Sequence, residues 1–313
     1  MAKIHDLKKE NISLIRSCFY EGGIWTKNTL SEKTGLSLAG TTNVLQYLMN
    51  ENEIIQTGKA ASTGGRKSKQ YALNPGQAQI GTLILKLTDK GYQFQTFLQD
   101  TGTETVYENT LFSADGSIHD FDKAVNNLLS NSQNMNVLCV SVPGVCADGV
   151  IGICDFRSFE NFPIGKHIEE TWHLNWIVEN DANSACIGLA HQYPDIRNMA
   201  VIYQPVKDGF GCGIVIDGKL YNGYSHAAGE LGNLPFARQE EDALKQLTTA
   251  IETIVCVLNP EMIGYASDCL EKDVSDQIHC DHLEKLVEIH DFTGLVQYGL
   301  NAMGRNLLLK MHQ

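Results

Sequence analysis

Thr41, Thr42, Asn43 and Gln46 lie in a segment whose apolar residues Val44, Leu45 and Leu48 recur at helical spacing. Hydroxyls and amides of that length, carried on one face of a helix, can reach base edges and phosphates in a major groove. Downstream, Ser62-Thr63-Gly64-Gly65-Arg66-Lys67-Ser68-Lys69 places three cations, Arg66, Lys67 and Lys69, on a glycine-bearing loop. Such a loop suits contact with phosphates or with a minor groove. His279-Cys280-Asp281-His282 offers a different chemistry, because it holds metal-ligand types. Consecutive side chains diverge, however, and only His279 and His282 share an i, i+3 spacing. The segment reads as the solvated start of a helix, and no metal is expected there.

The elements needed to position the first two groups follow in order. Ile12, Ile15, Cys18 and Phe19 fall at helical spacing over residues 12–20, and Gly22-Gly23 ends that helix. Thr26 can cap a second helix that Gly35 stops, and Ser37 can begin the third. Glu53-Ile54-Ile55-Gln56 and Gln70-Tyr71-Ala72-Leu73 read as two short strands flanking the basic loop. Three helices, a short turn between the second and third, and a basic hairpin predict a winged helix-turn-helix, mainly α, over residues 1–75.

The formal net charge of −13 over 313 residues argues against nucleic acid when taken whole. Residues 1–75, though, carry ten basic and six acidic side chains, +4, which leaves fourteen basic and thirty-one acidic, −17, for residues 76–313. A basic module joined to an acidic body is the pattern of a nucleic-acid reader attached to something else, with Pro75 as the boundary. Hydrophobic residues make up 43% of the chain, enough to bury sizeable cores and to exclude disorder. The nine cysteines form no CxxC pair and sit mostly in apolar runs, as small core residues of a reducing compartment do. No apolar run approaches the roughly 18 residues of a membrane span, and the first ten residues are too charged for a signal peptide. A cytoplasmic protein with no membrane partner is expected.

Beyond Pro75 the patterning changes. Leu83, Leu85 and Leu87 alternate up to the turn Thr88-Asp89-Lys90-Gly91, and Tyr92, Phe94 and Phe97 begin a return strand. Helical spacing follows over residues 118–129, and residues 137–142 form a buried strand ending at Pro143-Gly144. Strands mixed with helices imply an α/β body.

Four segments of this body carry a family resemblance. They are Pro143-Gly144, the run Val178-Glu179-Asn180-Asp181-Ala182-Asn183-Ser184-Ala185, the run Ile214-Val215-Ile216-Asp217-Gly218-Lys219-Leu220-Tyr221, and Ala227-Ala228-Gly229-Glu230-Leu231-Gly232. Together they resemble the ROK family of repressors and sugar kinases. The wing Gly64-Gly65-Arg66 and the junction Leu73-Asn74-Pro75 are similar to its repressor branch, the xylose and N-acetylglucosamine regulators. The resemblance implies an actin-like, ribonuclease-H-like body of two α/β lobes over residues 76–313, with a sugar cleft between them. In kinase members the Asp at position 181 would be the general base for the sugar hydroxyl, and Asn180 and Glu230 would be further sugar contacts. A carboxylate at a strand-to-helix junction suits that role, since it can accept a hydroxyl hydrogen bond near the helix dipole.

The chain departs from the kinase pattern where that pattern binds ATP. The family's Asp-x-Gly-Gly-Thr is replaced by Leu83, Leu85, Lys86 and Leu87, which can neither organise magnesium nor admit phosphate to the backbone. Gly209-Phe210-Gly211-Cys212-Gly213 keeps its glycines, but Asp208 stands where threonine is usual and would repel a phosphate. Its simplest reading is a tight turn before a strand. Leu234 to Val255 contains no cysteine, so the family's structural zinc lacks its ligands. Asn233, in the place of the zinc-binding histidine, can still bond a sugar hydroxyl. The stretch 233–251 is also too short for the family's helical insertion, and Glu261-Met262-Ile263-Gly264-Tyr265-Ala266-Ser267 has lost most of its adenine-contact glycines. His226 is a further candidate near the cleft.

The resemblance with these departures implies a repressor of carbohydrate genes without kinase activity or cofactor, with double-stranded operator DNA as partner. A sugar or sugar-phosphate effector is expected at Asn180, Asp181, Glu230 and Asn233, and a homodimer supported by the amphipathic helix over residues 296–308. Two alternatives stay open in the sequence: an active sugar kinase carrying a DNA-binding head, and a regulator whose body is only a dimerisation scaffold.

Overall fold

The computed structural model describes residues 2–59, 68–101, 104–206, 210–270, 274–278 and 280–312. The chain starts with α1 (Ala2–Glu21), β1 (Trp25–Thr26), α2 (Lys27–Thr34), α3 (Leu38–Asn50), β2 (Ile54–Lys59) and β3 (Lys69–Leu73). Thr26 caps α2 by accepting from the Thr29 amide, and the left-handed Gly35, φ 71°, ends it. Ser37 caps α3 by accepting from the Gly40 amide. The three strands form one antiparallel sheet in the order β1-β3-β2. β1 is too short to leave a periodic signal in the sequence, and α1 begins ten residues ahead of the expected helix. Ile15, Phe19, Leu30, Val44, Leu45 and Leu48 pack together beneath the sheet.

The next part of the chain runs β4 (Gln79–Thr88), β5 (Gly91–Asp100), β6 (Thr105–Ser113), α4 (Ile118–Asn131), β7 (Met135–Val142), β8 (Gly144–Ala147), β9 (Val150–Cys154), α5 (Ile164–Trp172), β10 (Asn175–Asn180) and α6 (Asp181–Gln192). Then follow β11 (Met199–Gln204), β12 (Gly211–Ile216), β13 (Lys219–Leu220), α7 (Pro235–Gln239), α8 (Ala243–Leu258), β14 (Met262–Ser267), β15 (Lys285–Glu288) and α9 (Phe292–Met311). The hairpin foreseen at residues 88–91 is the β4–β5 turn.

Two five-stranded sheets result, and they share one topology. The first runs β10-β7-β4-β5-β6 and the second β13-β12-β11-β14-β15. In each, three strands joined antiparallel in sequence are extended by two parallel strands on the side of the first. Each lobe also sends its last helix to the other. α6 leaves β10 of the first lobe to pack on β11 and β12 of the second, and α9 leaves β15 of the second to pack on β4 and β7 of the first.

The two exchanged helices cross at closest approach where they lack side chains. A Cβ on Gly299 would overlap the Ser184 carbonyl, and one on Gly188 would overlap the Leu295 carbonyl. α9 also buries Val296, Leu300 and Leu308, and α1 packs against it. Most of the apolar residues of this helix, expected at a dimer contact, thus pack inside the chain. Overpacking a dry crossing costs about 1–3 kcal/mol or more. Gly299→Val is therefore expected to lower the unfolding free energy, read by chemical denaturation, by at least that amount, and an unchanged free energy would show that the helices do not meet here.

Candidate functional site

A cavity of about 210 Å³ opens between the lobes, lined by Lys86 and Leu87 of β4, Gly144, Asp155, Asn180, Asp181, Tyr203, Glu230 and the first turn of α9. Asn180 ends β10 and caps α6: its Oδ1 accepts from the amides of Ala182 and Asn183 at 2.8 and 3.2 Å, and its Nδ2 donates to the Gly144 carbonyl at 3.0 Å. Its side chain thus joins the start of β8 to the start of α6. Asp181 follows as the first helical residue, with Oδ1 accepting from the Ala182 amide at 2.8 Å. The cap is therefore Asn180, which leaves the Asp181 carboxylate turned to the cavity.

Burial, and then the like charges of Asp155 and Glu230, push the Asp181 carboxyl up to about 7. Burial raises Glu230 as well. Glu230 is delivered by a turn that only glycine permits, since Gly229 has φ 86° and a Cβ on it would overlap the Cys212 carbonyl.

The opposite wall was not foreseen as a unit. The Tyr203 hydroxyl donates to Asp268 Oδ2 at 2.7 Å, and Lys86 Nζ lies 3.7 Å from the same oxygen. Phe292 stacks on Tyr203, with ring centroids 4.0 Å apart and planes 11° from parallel. Lys86 comes from one lobe and Asp268 from the other, so the pair bridges the cleft. The available signal was Lys86 itself, a cation in the apolar strand Leu83-Ile84-Leu85-Lys86-Leu87. Leu83 faces the core of the first lobe, while Leu85 and Leu87 reach the cavity wall.

Other expected site residues are placed elsewhere. Asn233 does not reach this cavity: its Oδ1 accepts from Arg238 at 2.9 Å, and it lines a neighbouring cavity that also touches Glu230. The turn Leu231–Asn233 carries the side chain past Glu230, away from Asp181. His226 lies in a turn outside the cavity lining. Asp208 and Gly209 lie outside the described residues, while Gly211 opens β12 at the cavity edge. His279 also lies outside the described residues, and Cys280, Asp281 and His282 form a turn leading to β15, where a helix start was expected. Among the described residues no three His, Cys, Asp or Glu side chains gather into a metal site.

On α3, Thr42, Asn43 and Gln46 are exposed. The Thr42 hydroxyl donates back to the Leu38 carbonyl, and Gln46 Nε2 donates to Asn50 Oδ1 at 2.9 Å. Thr41 corrects the reading: it is fully buried, its hydroxyl without a partner among the described residues. It stands three and four residues before Val44 and Leu45, hence on the apolar stripe. Lys69 is exposed at the start of β3, and Arg66 and Lys67 lie outside the described residues.

One helix touches both regions. Phe292, Thr293 and Val296 of α9 line the cavity. At its other end the Arg16 guanidinium of α1 donates to the His312 carbonyl at 3.0 Å, and Arg305 lies against Gly22. Arg16 is held in turn by two hydrogen bonds to Glu53, at 2.6 and 2.7 Å. Asn301 and Arg305 of α9 are buried, and the Asn301 amide and Arg305 Nε have no hydrogen-bond partner among the described residues.

Two lobes of repeated topology around a cleft, with a carboxylate at a strand-to-helix junction, define the actin-like fold of the sugar kinases. The chain belongs to the ROK family, which residues 76–273 match. A xylose repressor of Caldicellulosiruptor bescii is 22% identical over 247 residues, 75% of this chain and 61% of that protein. The chain thus spans about three fifths of the length of the curated relatives of this kind that it matches. An N-acetyl-D-glucosamine kinase of Histophilus somni is 34% identical over 97 residues, 30% of this chain and 32% of that one. Among solved structures, a ROK family transcriptional regulator, a homologue of the E. coli MLC protein, superposes with a TM-score of 0.72 at 16% identity. That superposition covers 97% of this chain and 98% of the other. Among the described residues no helix is long and apolar enough to cross a membrane.

Because the folded state holds Asp181 near 7 instead of 3.8, it binds the extra proton and stability falls as pH rises between those values. Asp181→Asn is expected to be more stable than wild type at pH 8 by up to about 4 kcal/mol, seen as a higher melting temperature, with the gain vanishing towards pH 4. Thermal denaturation over that range checks it, and a pH-independent effect would remove the buried carboxylate from the argument.

Proposed function

We propose that this chain is a sugar-responsive transcriptional repressor. In this reading residues 1–75 form a winged helix-turn-helix that binds operator DNA in the cytoplasm, and residues 76–313 form a sensing body that does not phosphorylate its ligand. The observation that carries it is α9, which begins in the cleft wall and ends against α1, next to the elements that would enter DNA. A sugar held by Asn180, Asp181 and Glu230 would close the lobes around it. Such closure would bear on α9, and DNA affinity changes by as much as the ligand prefers one lobe arrangement to the other.

Asn43 and Gln46 would read base edges, and Arg66, Lys67 and Lys69 would hold phosphates. A symmetric operator favours a dimer. The names of the relatives support the reading, as does the loss of a magnesium-organising acid at Leu83. Asp181 in the cleft favours a second reading, a working kinase, and release of ADP with several hexoses would decide for it.

Selection of genomic fragments by the purified protein tests the first reading, since enrichment of sites beside carbohydrate genes is expected. On such a site, Asn43→Ala or Gln46→Ala should relax base preference at about 1–3 kcal/mol per lost contact. Arg66→Ala with Lys67→Ala should weaken all sequences alike and lower the salt slope by about 2. Binding that ignores both changes across a salt titration would exclude the winged reading. Asp181→Ala should keep DNA binding and lose its response to sugar.

A further inference from the structure

Residues 1–75 are joined to the body at two points, and both converge on the turn by which the chain leaves α3. Glu53 stands in that turn, and its amide donates to the Leu48 carbonyl of α3 at 2.9 Å. Its carboxylate accepts from Nε and Nη2 of Arg16, and Arg16 Nη1 donates to the His312 carbonyl just beyond α9. The second point is Asn74, which engages all of its polar groups. Its amide donates to the Glu53 carbonyl and its Nδ2 to the Asn52 carbonyl, each at 2.9 Å, while its Oδ1 accepts from the Gly76 amide. The Asn74 carbonyl accepts from the Gln77 amide at 3.0 Å and from the hydroxyl of Thr101, the residue after β5, at 2.7 Å. A module that swings on its tether has a solvated, flexible linker, whereas residues 74–77 form a hydrogen-bonded turn. Arg16 and Glu53 are both buried. A buried ion pair adds little stability over apolar side chains of similar size, but its forked geometry fixes the attitude of the elements that carry it.

We infer that Arg16 and Glu53 are positioning residues for DNA reading, which together with the Asn74–Thr101 contact hold α3 at a fixed attitude to the first lobe. The inference rests on the DNA-binding role proposed above and adds to it how the reading helix is aimed. Base contacts need their side chains held to within about 0.5 Å, and a helix already aimed incurs no ordering cost on binding. Non-specific binding through phosphates makes no such demand. Loosening either point should therefore weaken binding to a preferred site and spare binding to other sequences.

Fluorescence-anisotropy titration of the whole chain tests this on two duplexes: a fragment that wild type retains in the genomic selection, and a shuffled duplex of the same length and composition. Arg16→Met with Glu53→Met removes both charges together, so neither is left buried alone, and the melting temperature is expected to hold. This double variant should lose at least about tenfold of the affinity ratio between the duplexes, with its affinity for the shuffled duplex and its salt slope unchanged. Thr101→Val, which lacks the hydroxyl, should lower the ratio too, and Thr101→Ser, which keeps it, should not. That pair decides the matter if the double variant does not fold. A folded double variant or Thr101→Val that keeps the wild-type ratio overturns the inference and leaves the DNA-binding role standing, and so does a loss that falls equally on both duplexes. If wild type retains no fragment, or binds the two duplexes alike, the DNA-binding role falls and the inference with it.

Discussion

Two helices that cross with almost nothing between their backbones hold this molecule together. α6 and α9 are each the last helix of one lobe packed on the other, so their crossing is where the lobes are joined. Gly188 and Gly299 set how closely they approach, because carbonyls of the partner helix occupy the places that side chains would need. The same arrangement fixes the cleft. α6 begins with the Asn180 cap and Asp181, α9 begins with Phe292 and Thr293, and both first turns face the cavity. The cleft can therefore change width only by moving one of the two exchanged helices.

That geometry gives the acids of the cleft their character. Asp181 cannot leave the cavity without undoing the helix start that Asn180 caps, and it cannot be fully solvated while the lobes are held together. Its proton affinity is raised as a consequence of the fold, and Asp155 and Glu230 add to it. On the far wall, Tyr203, Phe292, Lys86 and Asp268 hold one another in place. Where α9 meets α1 the packing is different again. The buried Arg305 Nε has no hydrogen-bond partner among the described residues, and such a group weakens the contact relative to an apolar one.

Local features of the chain were readable because each has a local cause. Thr26, Gly35 and Ser37 set their helix ends through one hydrogen bond or one left-handed residue, and the β4–β5 hairpin announced itself by alternation and a turn. The Asn180-Asp181 and Gly229-Glu230 segments pointed to one cleft because their residue types are unusual in combination. Thr41 has the residue type of a base-reading position, but its distance from Val44 and Leu45 puts it on the apolar stripe, and there spacing decides its burial. Asn233, the bridge from Lys86 to Asp268, and the role of α9 depend on contacts between residues far apart in sequence. Amphipathicity in α9 says that a face is covered, and the neighbours that cover it are strands and helices more than a hundred residues away.

The Arg16 guanidinium reaches across the whole chain to the carbonyl of His312. The first helix therefore finds its final neighbours only after residue 292 and those following it have been synthesised. Until then the apolar surface of α1 that faces α9 has nothing to rest on, even though its own small sheet and helices are complete. A chain still lacking α9 would carry that surface of α1 uncovered.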